Sequence, residues 1–108
     1  MSNVLYDEIW RKTQQRLEEV VQVDTTIQST RAIRERSEAR VQTSELYVRY
    51  IEVANNLEEC YDLTVQPQKR PLLRKLLDSA LGRILELKHE LVEIELSEYN
   101  YCDDALHR

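Results

Sequence analysis

The chain has 108 residues, of which 42% are hydrophobic and 32% charged, with one glycine, two prolines and a formal net charge of −5. This is too apolar for a disordered tail, and the near-absence of glycine argues against a β-rich fold or a phosphate-binding loop. The negative charge argues against nucleic acid as a partner, and no apolar run reaches the roughly 20 residues that span a bilayer. The first residues lack the basic and apolar regions of a secretory signal, so we expect an intracellular protein.

The amino-terminal segment predicts a first helix within residues 1–24. Ser2 and Asn3 are good helix caps, and apolar side chains then recur in steps of four and three residues. The segment DTTIQST, at 24–30, gathers β-branched and capping residues, and it is the predicted break before the next helix. The residues of the first apolar seam are Tyr6, Trp10, Leu17 and Val20, with Thr13 filling the gap.

Residues 25–66 are predicted to contain this break and a second long helix, placed at about 30–65. The highly charged stretch RAIRERSEARVQ predicts a solvated beginning. A regular four-three alternation of apolar residues follows, and a second apolar stripe accompanies it. The alternating residues are Leu46, Tyr50, Val53, Leu57 and Cys60, and the second stripe carries Tyr47, Ile51, Ala54 and Tyr61.

Residues 67–108 are predicted to form a connector and a third long helix, from about residue 69 to at least residue 98. Pro67 disfavours helical geometry at Gln66, and Pro71 suits the first turn of a helix. Because the connector is short, the second and third helices should fold back on each other. The predicted fold class is therefore all-α, a long antiparallel helical hairpin plus an amino-terminal helix, with extended coiled-coil-like packing.

Two apolar stripes on the third helix predict two neighbours for it. One neighbour is the second helix, and the other is the first helix, a partner protein, or both at different points along the length. The second stripe comprises Leu72, Leu76, Leu81, Leu85, Val92 and Tyr99. We predict that the residues that contact a partner are Leu73, Leu77, Ile84, Leu87, Leu91, Ile94 and Tyr101, with Lys69 and Arg70 meeting an acidic surface.

The charges of the third helix oppose its macrodipole. Residues 69–83 carry a net charge of +4 and residues 86–104 a net charge of −6, whereas helices favour anions at the start and cations at the end. This pattern indicates either complementary charged partners or a solvated face. Gly82, in the middle of the helix, indicates either the close approach of another backbone or a tolerated glycine.

Residues that could carry out chemistry are scattered. His89 and His107 have no ligand-type neighbours at metal spacing. Cys60 lies on an apolar seam and is interpreted as a core thiol. The sequence therefore predicts no catalytic, metal-binding or cofactor-binding residues. IQSTRAIRERSEAR, at 27–40, begins like a calmodulin-binding IQ motif, but Ala32 and Ile33 hold its Arg and Gly places.

Four stretches of the chain resemble one known family. They are MSNVLYDEIWRKTQQRL at 1–17, STRA at 29–32, NLEECYDLTVQPQKR at 56–70 and GRILELKHELVEIELSEYNYCDD at 82–104. They are similar to the amino-terminal region of the dynein regulatory complex subunit 11 family, the IQ and AAA domain-containing proteins. The resemblance implies a structural, non-enzymatic docking subunit of the nexin–dynein regulatory complex in the axoneme of cilia and flagella. It implies that other subunits of that complex and the doublet microtubule are partners.

The same resemblance implies an IQ motif and an AAA ATPase-like module after this region. The chain contains no GxxxxGK[ST] motif, so nucleotide binding is not expected of these residues. Two alternatives remain open: a regulatory adaptor that binds a calmodulin-like protein through 27–40, and a non-catalytic amino-terminal fragment of an AAA ATPase. We expect the chain to be a truncated part of a longer protein.

Overall fold

The computed structural model describes residues 4–30 and 36–106, with side chains up to residue 97. Three α-helices occupy these ranges: α1 (Val4–Ser29), α2 (Arg36–Leu63) and α3 (Arg70–Leu106). A single turn of 3₁₀ helix (Pro67–Lys69) precedes α3. The prediction of an all-α fold is confirmed.

The end of α1 differs from the sequence prediction. The helix was predicted to end at residue 24, but it continues to Ser29. The hydroxyls of Thr25 and Thr26 donate hydrogen bonds to carbonyls four residues earlier, at 2.8 and 3.0 Å, so these residues satisfy their polar groups within the helix. Asp24 is buried between helices, where tertiary contacts outweigh the low helix propensity of the segment. The predicted helical stretch at 31–35 lies outside the described residues.

The connection between α2 and α3 agrees with the prediction from its prolines. Gln66 is extended, with φ −105° and ψ 103°, and Pro67 begins the 3₁₀ turn. The backbone N–H of Thr64 donates to the carbonyl of Cys60 at 3.0 Å, which closes the last turn of α2. The backbone N–H of Gln66 donates to the hydroxyl of Thr64 at 3.3 Å. The chain therefore reverses within a few residues, and α2 and α3 form the hairpin.

The first helix packs antiparallel to α2. Near its middle, the hydroxyl of Thr13 lies 3.9 Å from the thiol of Cys60. Near its end, Asp24 accepts a hydrogen bond of 2.8 Å from the hydroxyl of Tyr50. Residues later in α1 therefore contact residues earlier in α2. This order of contacts gives the three helices an up-down-up arrangement.

The first helix also runs parallel to α3. The ammonium of Lys69 lies 4.9 Å from the ring centre of Tyr6, and Arg83 pairs with Asp24. The 37 residues of α3 exceed the 26 of α1, a difference of roughly 16 Å at 1.5 Å per residue. The molecule measures 70 × 21 × 18 Å. The 28 residues of α2 are also fewer than those of α3, so the end of α3 extends past both other helices.

One continuous core lies where the three helices meet. The whole alternating seam predicted for the second helix is buried in it, which confirms Cys60 as a core thiol. Fully buried side chains of this kind each contribute roughly 1.5–3 kcal/mol relative to exposure. The buried hydrophobic residues are Tyr6, Val20, Leu46, Tyr50, Val53, Ala54, Leu57, Cys60, Leu73, Ala80 and Leu87.

Candidate protein-interaction surface

The side of α3 that points away from α1 carries exposed apolar residues. Arg83 marks the side that faces α1, because it pairs with Asp24. Leu81 and Leu85 lie two residues before and after Arg83, which places them roughly 160° from it around the helix axis. Val92, nine residues after Arg83, lies about 180° from it. Leu85 is 67% exposed and Val92 is 45% exposed. None of the described residues covers this side of α3.

The corresponding side of α2 continues this surface. Cys60 marks the side of α2 that faces α1. Ile51, nine residues earlier, lies on the opposite side of the helix and is half-buried, as is Tyr47 beside it. We name the surface opposite α1 the open face, and its apolar residues are Tyr47, Ile51, Leu81, Leu85, Val92 and Leu96.

The predicted partner-contacting residues of α3 fall into three groups. Leu73 and Leu87 are buried, with 1% and 0% of their surface exposed. They pack within the chain, so a partner could reach them only if the helices separated. The side chain of Tyr101 lies outside the described residues. The half-buried residues at the border between the core and the surface are Leu77, Ile84, Leu91 and Ile94, and their contact with a partner stays a prediction.

The two predicted basic residues of the connector already stack on aromatic rings of the chain. Lys69 lies over Tyr6, and the guanidinium of Arg70 lies 5.6 Å from the ring centre of Tyr61. Such contacts contribute about 0.5–1 kcal/mol at exposed sites. Arg70 is exposed and Lys69 half-exposed. Both cations therefore help to hold the turn end of the bundle together while remaining accessible.

A polar cluster that was not predicted from the sequence joins all three helices. The carboxylate of Asp24 accepts hydrogen bonds from Nε and a terminal nitrogen of Arg83, at 2.8 and 2.7 Å. It also accepts hydrogen bonds from Tyr50, at 2.8 Å, and from the amide of Gln28, at 3.0 Å. Asp24 follows Val20 by four residues, so it continues the apolar seam of α1. A carboxylate at an apolar seam position was the one sign in the sequence that Asp24 has a buried polar partner.

The hydrogen bonds of this cluster determine the protonation state of its members. Burial alone would raise the pKa of Asp24, but the hydrogen bonds from Arg83, Gln28 and Tyr50 outweigh it and lower that pKa. Burial, and then the hydrogen bond to Asp24, raises the pKa of Tyr50. Arg83 is also held by Glu86, at 2.9 Å. The carboxylate is ionised and its oxygens are occupied, so the cluster joins helices and does not present a reactive group.

Neither Cys60 nor His89 lies in surroundings that suit catalysis or metal binding. Burial raises the pKa of the Cys60 thiol, which keeps it protonated and unreactive. His89 lies on the solvated surface, 3.0 Å from Glu93. Within residues 4–30 and 36–106, no group of three metal-ligating side chains comes together. Over the same ranges, none of the helices combines the length and apolar character needed to cross a membrane.

The segment 27–40, predicted as a possible calmodulin-binding stretch, is only partly visible. Residues 27–29 belong to the end of α1 and residues 36–40 to the start of α2. Ala32 and Ile33, the two positions that depart from the IQ pattern, lie outside the described residues. Binding of a calmodulin-like protein through this segment therefore stays a prediction.

The described residues form an elongated all-α bundle whose hairpin exposes apolar side chains on one side and whose buried carboxylate, Asp24, joins the three helices. Comparison with known families makes the assignment specific. Residues 6–108 match the family model described as Dynein regulatory complex subunit 11-like, N-terminal domain. The chain belongs to this family, as its sequence resemblance predicted.

Two curated relatives agree with this assignment. Dynein regulatory complex protein 11 of Mus musculus is 40% identical over 107 residues, which cover 98% of this chain and 12% of that protein. Dynein regulatory complex protein 11 of Chlamydomonas reinhardtii is 37% identical over 62 residues, which cover 56% of this chain and 11% of that protein. The chain thus spans about an eighth of the length of these relatives.

Proposed function

We propose that this chain is a structural docking segment within the dynein regulatory complex of the ciliary and flagellar axoneme, where it binds neighbouring subunits through its open face. Two observations support the proposal. The chain belongs to a family named for that complex, and the hairpin leaves apolar residues uncovered opposite α1. The segment contributes to the regulation of dynein-driven motility by helix–helix packing and performs no catalysis itself.

The exposed residues of the open face are suited to a partner helix. On α3, Leu81, Leu85, Val92 and Leu96 are 44%, 67%, 45% and 56% exposed. Their spacing of four, seven and four residues keeps them within about 60° of one another around the helix axis, so they form one row along the helix. Covering a leucine that was exposed contributes up to roughly 1.5–3 kcal/mol. A partner helix packed along this row would cover all four side chains.

The test is retention of axonemal proteins by the chain. The 108-residue chain is immobilised and incubated with a salt extract of demembranated axonemes, and the bound proteins are identified by mass spectrometry. We expect other subunits of the dynein regulatory complex to be retained. Doublet microtubules are a second proposed partner, and their binding is measured separately by co-sedimentation.

Matched variants connect the result to the surface. Leu85→Asp with Val92→Asp places two charges on the open face, and we expect it to abolish retention while leaving the helix content unchanged. Leu5→Asp with Val21→Asp is the control, because Leu5 and Val21 are 56% and 46% exposed on α1. Equal retention by both double variants would remove the open face as the docking surface. Recovery of calmodulin-like proteins alone would favour the adaptor alternative.

A further inference from the structure

A single lysine interrupts the apolar row of α3. Leu85, Lys88 and Val92 follow one another in steps of three and four residues, so Lys88 lies in line with its apolar neighbours. Lys88 is exposed. Within the described part of the chain no carboxylate pairs with it, although Arg83, His89 and Arg74 on the same helix all have carboxylate partners. Among the described residues, the cation therefore lies halfway along the open face without a carboxylate partner.

Covering this face would remove Lys88 from water. An ammonium that is desolvated without a partner destabilises a complex, whereas one that meets a carboxylate specifies register and partner. We propose that the partner of the open face is an amphipathic helix with an aspartate or glutamate opposite Lys88, between apolar residues that cover Leu85 and Val92. This inference rests on the proposed docking function and deepens it by defining the chemistry of the partner.

The position of Lys88 also argues against a second copy of this chain as the occupant. In a two-fold antiparallel pairing of α3, matching Leu85 with Val92 of the other copy also matches Leu81 with Leu96. The same register places Lys88 opposite His89 of the other copy, and the two lysines lie on either side of the symmetry axis. Like charges in such a position oppose association. A foreign helix with a carboxylate at that level satisfies both the apolar row and the cation.

Three synthetic peptides provide the probe. Each is an amphipathic helix of about four heptads with leucine at the seam positions, and one central seam position is glutamate, glutamine or lysine. Their affinities for the 108-residue chain are measured by fluorescence anisotropy, at concentrations where sedimentation shows that the peptides are monomeric. We expect the glutamate peptide to bind about tenfold more tightly than the lysine peptide, with glutamine between them.

Variants of the chain make the result specific to Lys88. Lys88→Glu should invert the order of the three peptide affinities. Self-association of the peptides could not produce this inversion. Lys75→Glu is the control, because Lys75 is exposed on α3 but lies roughly 140° from Lys88 around the axis. It should preserve the order. Equal affinity of the three peptides for the unmodified chain would overturn the proposal. So would a stable dimer of the chain that the Leu85→Asp and Val92→Asp double variant dissociates.

Axonemal retention separates this proposal from the docking function itself. Suppose that axonemal subunits are retained and that Lys88→Glu changes neither this retention nor the order of peptide affinities. The proposed partner carboxylate opposite Lys88 is then wrong, and the docking function stands. If the peptides discriminate as expected and no axonemal protein is retained, the chemistry of the surface stands and the axonemal function is wrong.

Discussion

Replacement of Asp24 by asparagine tests whether the polar cluster determines the position of α1. The side chain of Asp24 is 6% exposed and that of Arg83 17% exposed, and two hydrogen bonds of 2.7 and 2.8 Å join them. Asparagine preserves the shape and removes the charge. The variant leaves Arg83 with the carboxylates of Glu86 and Glu90. It also replaces one of the two acceptor oxygens at position 24, which bind Arg83, Tyr50 and Gln28, with an amide nitrogen that cannot accept a hydrogen bond. We expect the whole chain to lose stability, because this contact is one of those that join α1 to the hairpin.

The expected loss is about 2–3 kcal/mol. Removing one member of a fully buried ion pair costs about 3–5 kcal/mol. The loss here should be smaller, because Arg83 keeps its 2.9 Å contact with Glu86 and retains some access to water. A domain of this size has a total stability of about 5–15 kcal/mol. The substitution should therefore lower the urea midpoint substantially without preventing folding.

Urea unfolding followed by far-ultraviolet circular dichroism measures this difference. The control is Asp78→Asn, which removes a carboxylate from an ion pair with Arg74 whose side chains are 66% and 61% exposed. Exposed pairs of this kind contribute at most about 1 kcal/mol. If Asp24→Asn destabilises the chain no more than Asp78→Asn does, the cluster does not hold α1 in place.

The pH dependence of the same pair of proteins gives a second test. The pKa of Asp24 is lowered in the folded chain, against about 3.9 when unfolded. Its contribution to stability is therefore fully present above that unfolded value and is lost as the pH falls through the lower folded pKa. The difference in unfolding free energy between the unmodified chain and Asp24→Asn should be constant above about pH 5 and narrow below about pH 4. A difference that does not narrow contradicts an ionised Asp24.

Two further predictions concern Gly82 and Cys60. A methyl group added at Gly82 meets nothing within 4 Å, so Gly82→Ala should raise the free energy of unfolding by up to about 1 kcal/mol. Loss of axonemal retention by this stabler variant would indicate a partner backbone close to Gly82. Cys60 is 0% exposed, so its alkylation in the native chain should be on the order of 100-fold slower than in urea. Rapid native labelling, measured by mass at Cys60, would show that α1 separates readily from α2.

The helices and their hairpin could be predicted because local rules determine them. The four-three alternation of α2 required a buried seam from Leu46 to Cys60, and Pro67 required a break before α3. The start of that break, at Thr64, and the first turn after it depend on hydrogen bonds a few residues apart. The local sequence was therefore enough to predict the buried seam of α2 and the break before α3.

The side of α3 that faces the core could not be predicted in the same way. Leu85 and Leu87 belong to two apolar stripes of similar composition, yet Leu85 is 67% exposed and Leu87 is 0% exposed. The choice between the stripes depends on where α1 packs, and α1 is fixed partly by Asp24 and Arg83, which are 59 residues apart in the chain. A single sequence does not show which residues so far apart contact each other. The predicted interface therefore included Leu73 and Leu87, which lie in the core.

The direction of the helices has a mechanical consequence. Val4 lies at the turn end of the bundle, because Tyr6 packs against Lys69 there, whereas Leu106 ends the helix that continues past α1. Tension applied between these two ends acts along the 70 Å axis. It loads the contacts between neighbouring helices in shear, many at once, and does not peel them apart one turn at a time. Such a segment can transmit force along its length with little extension.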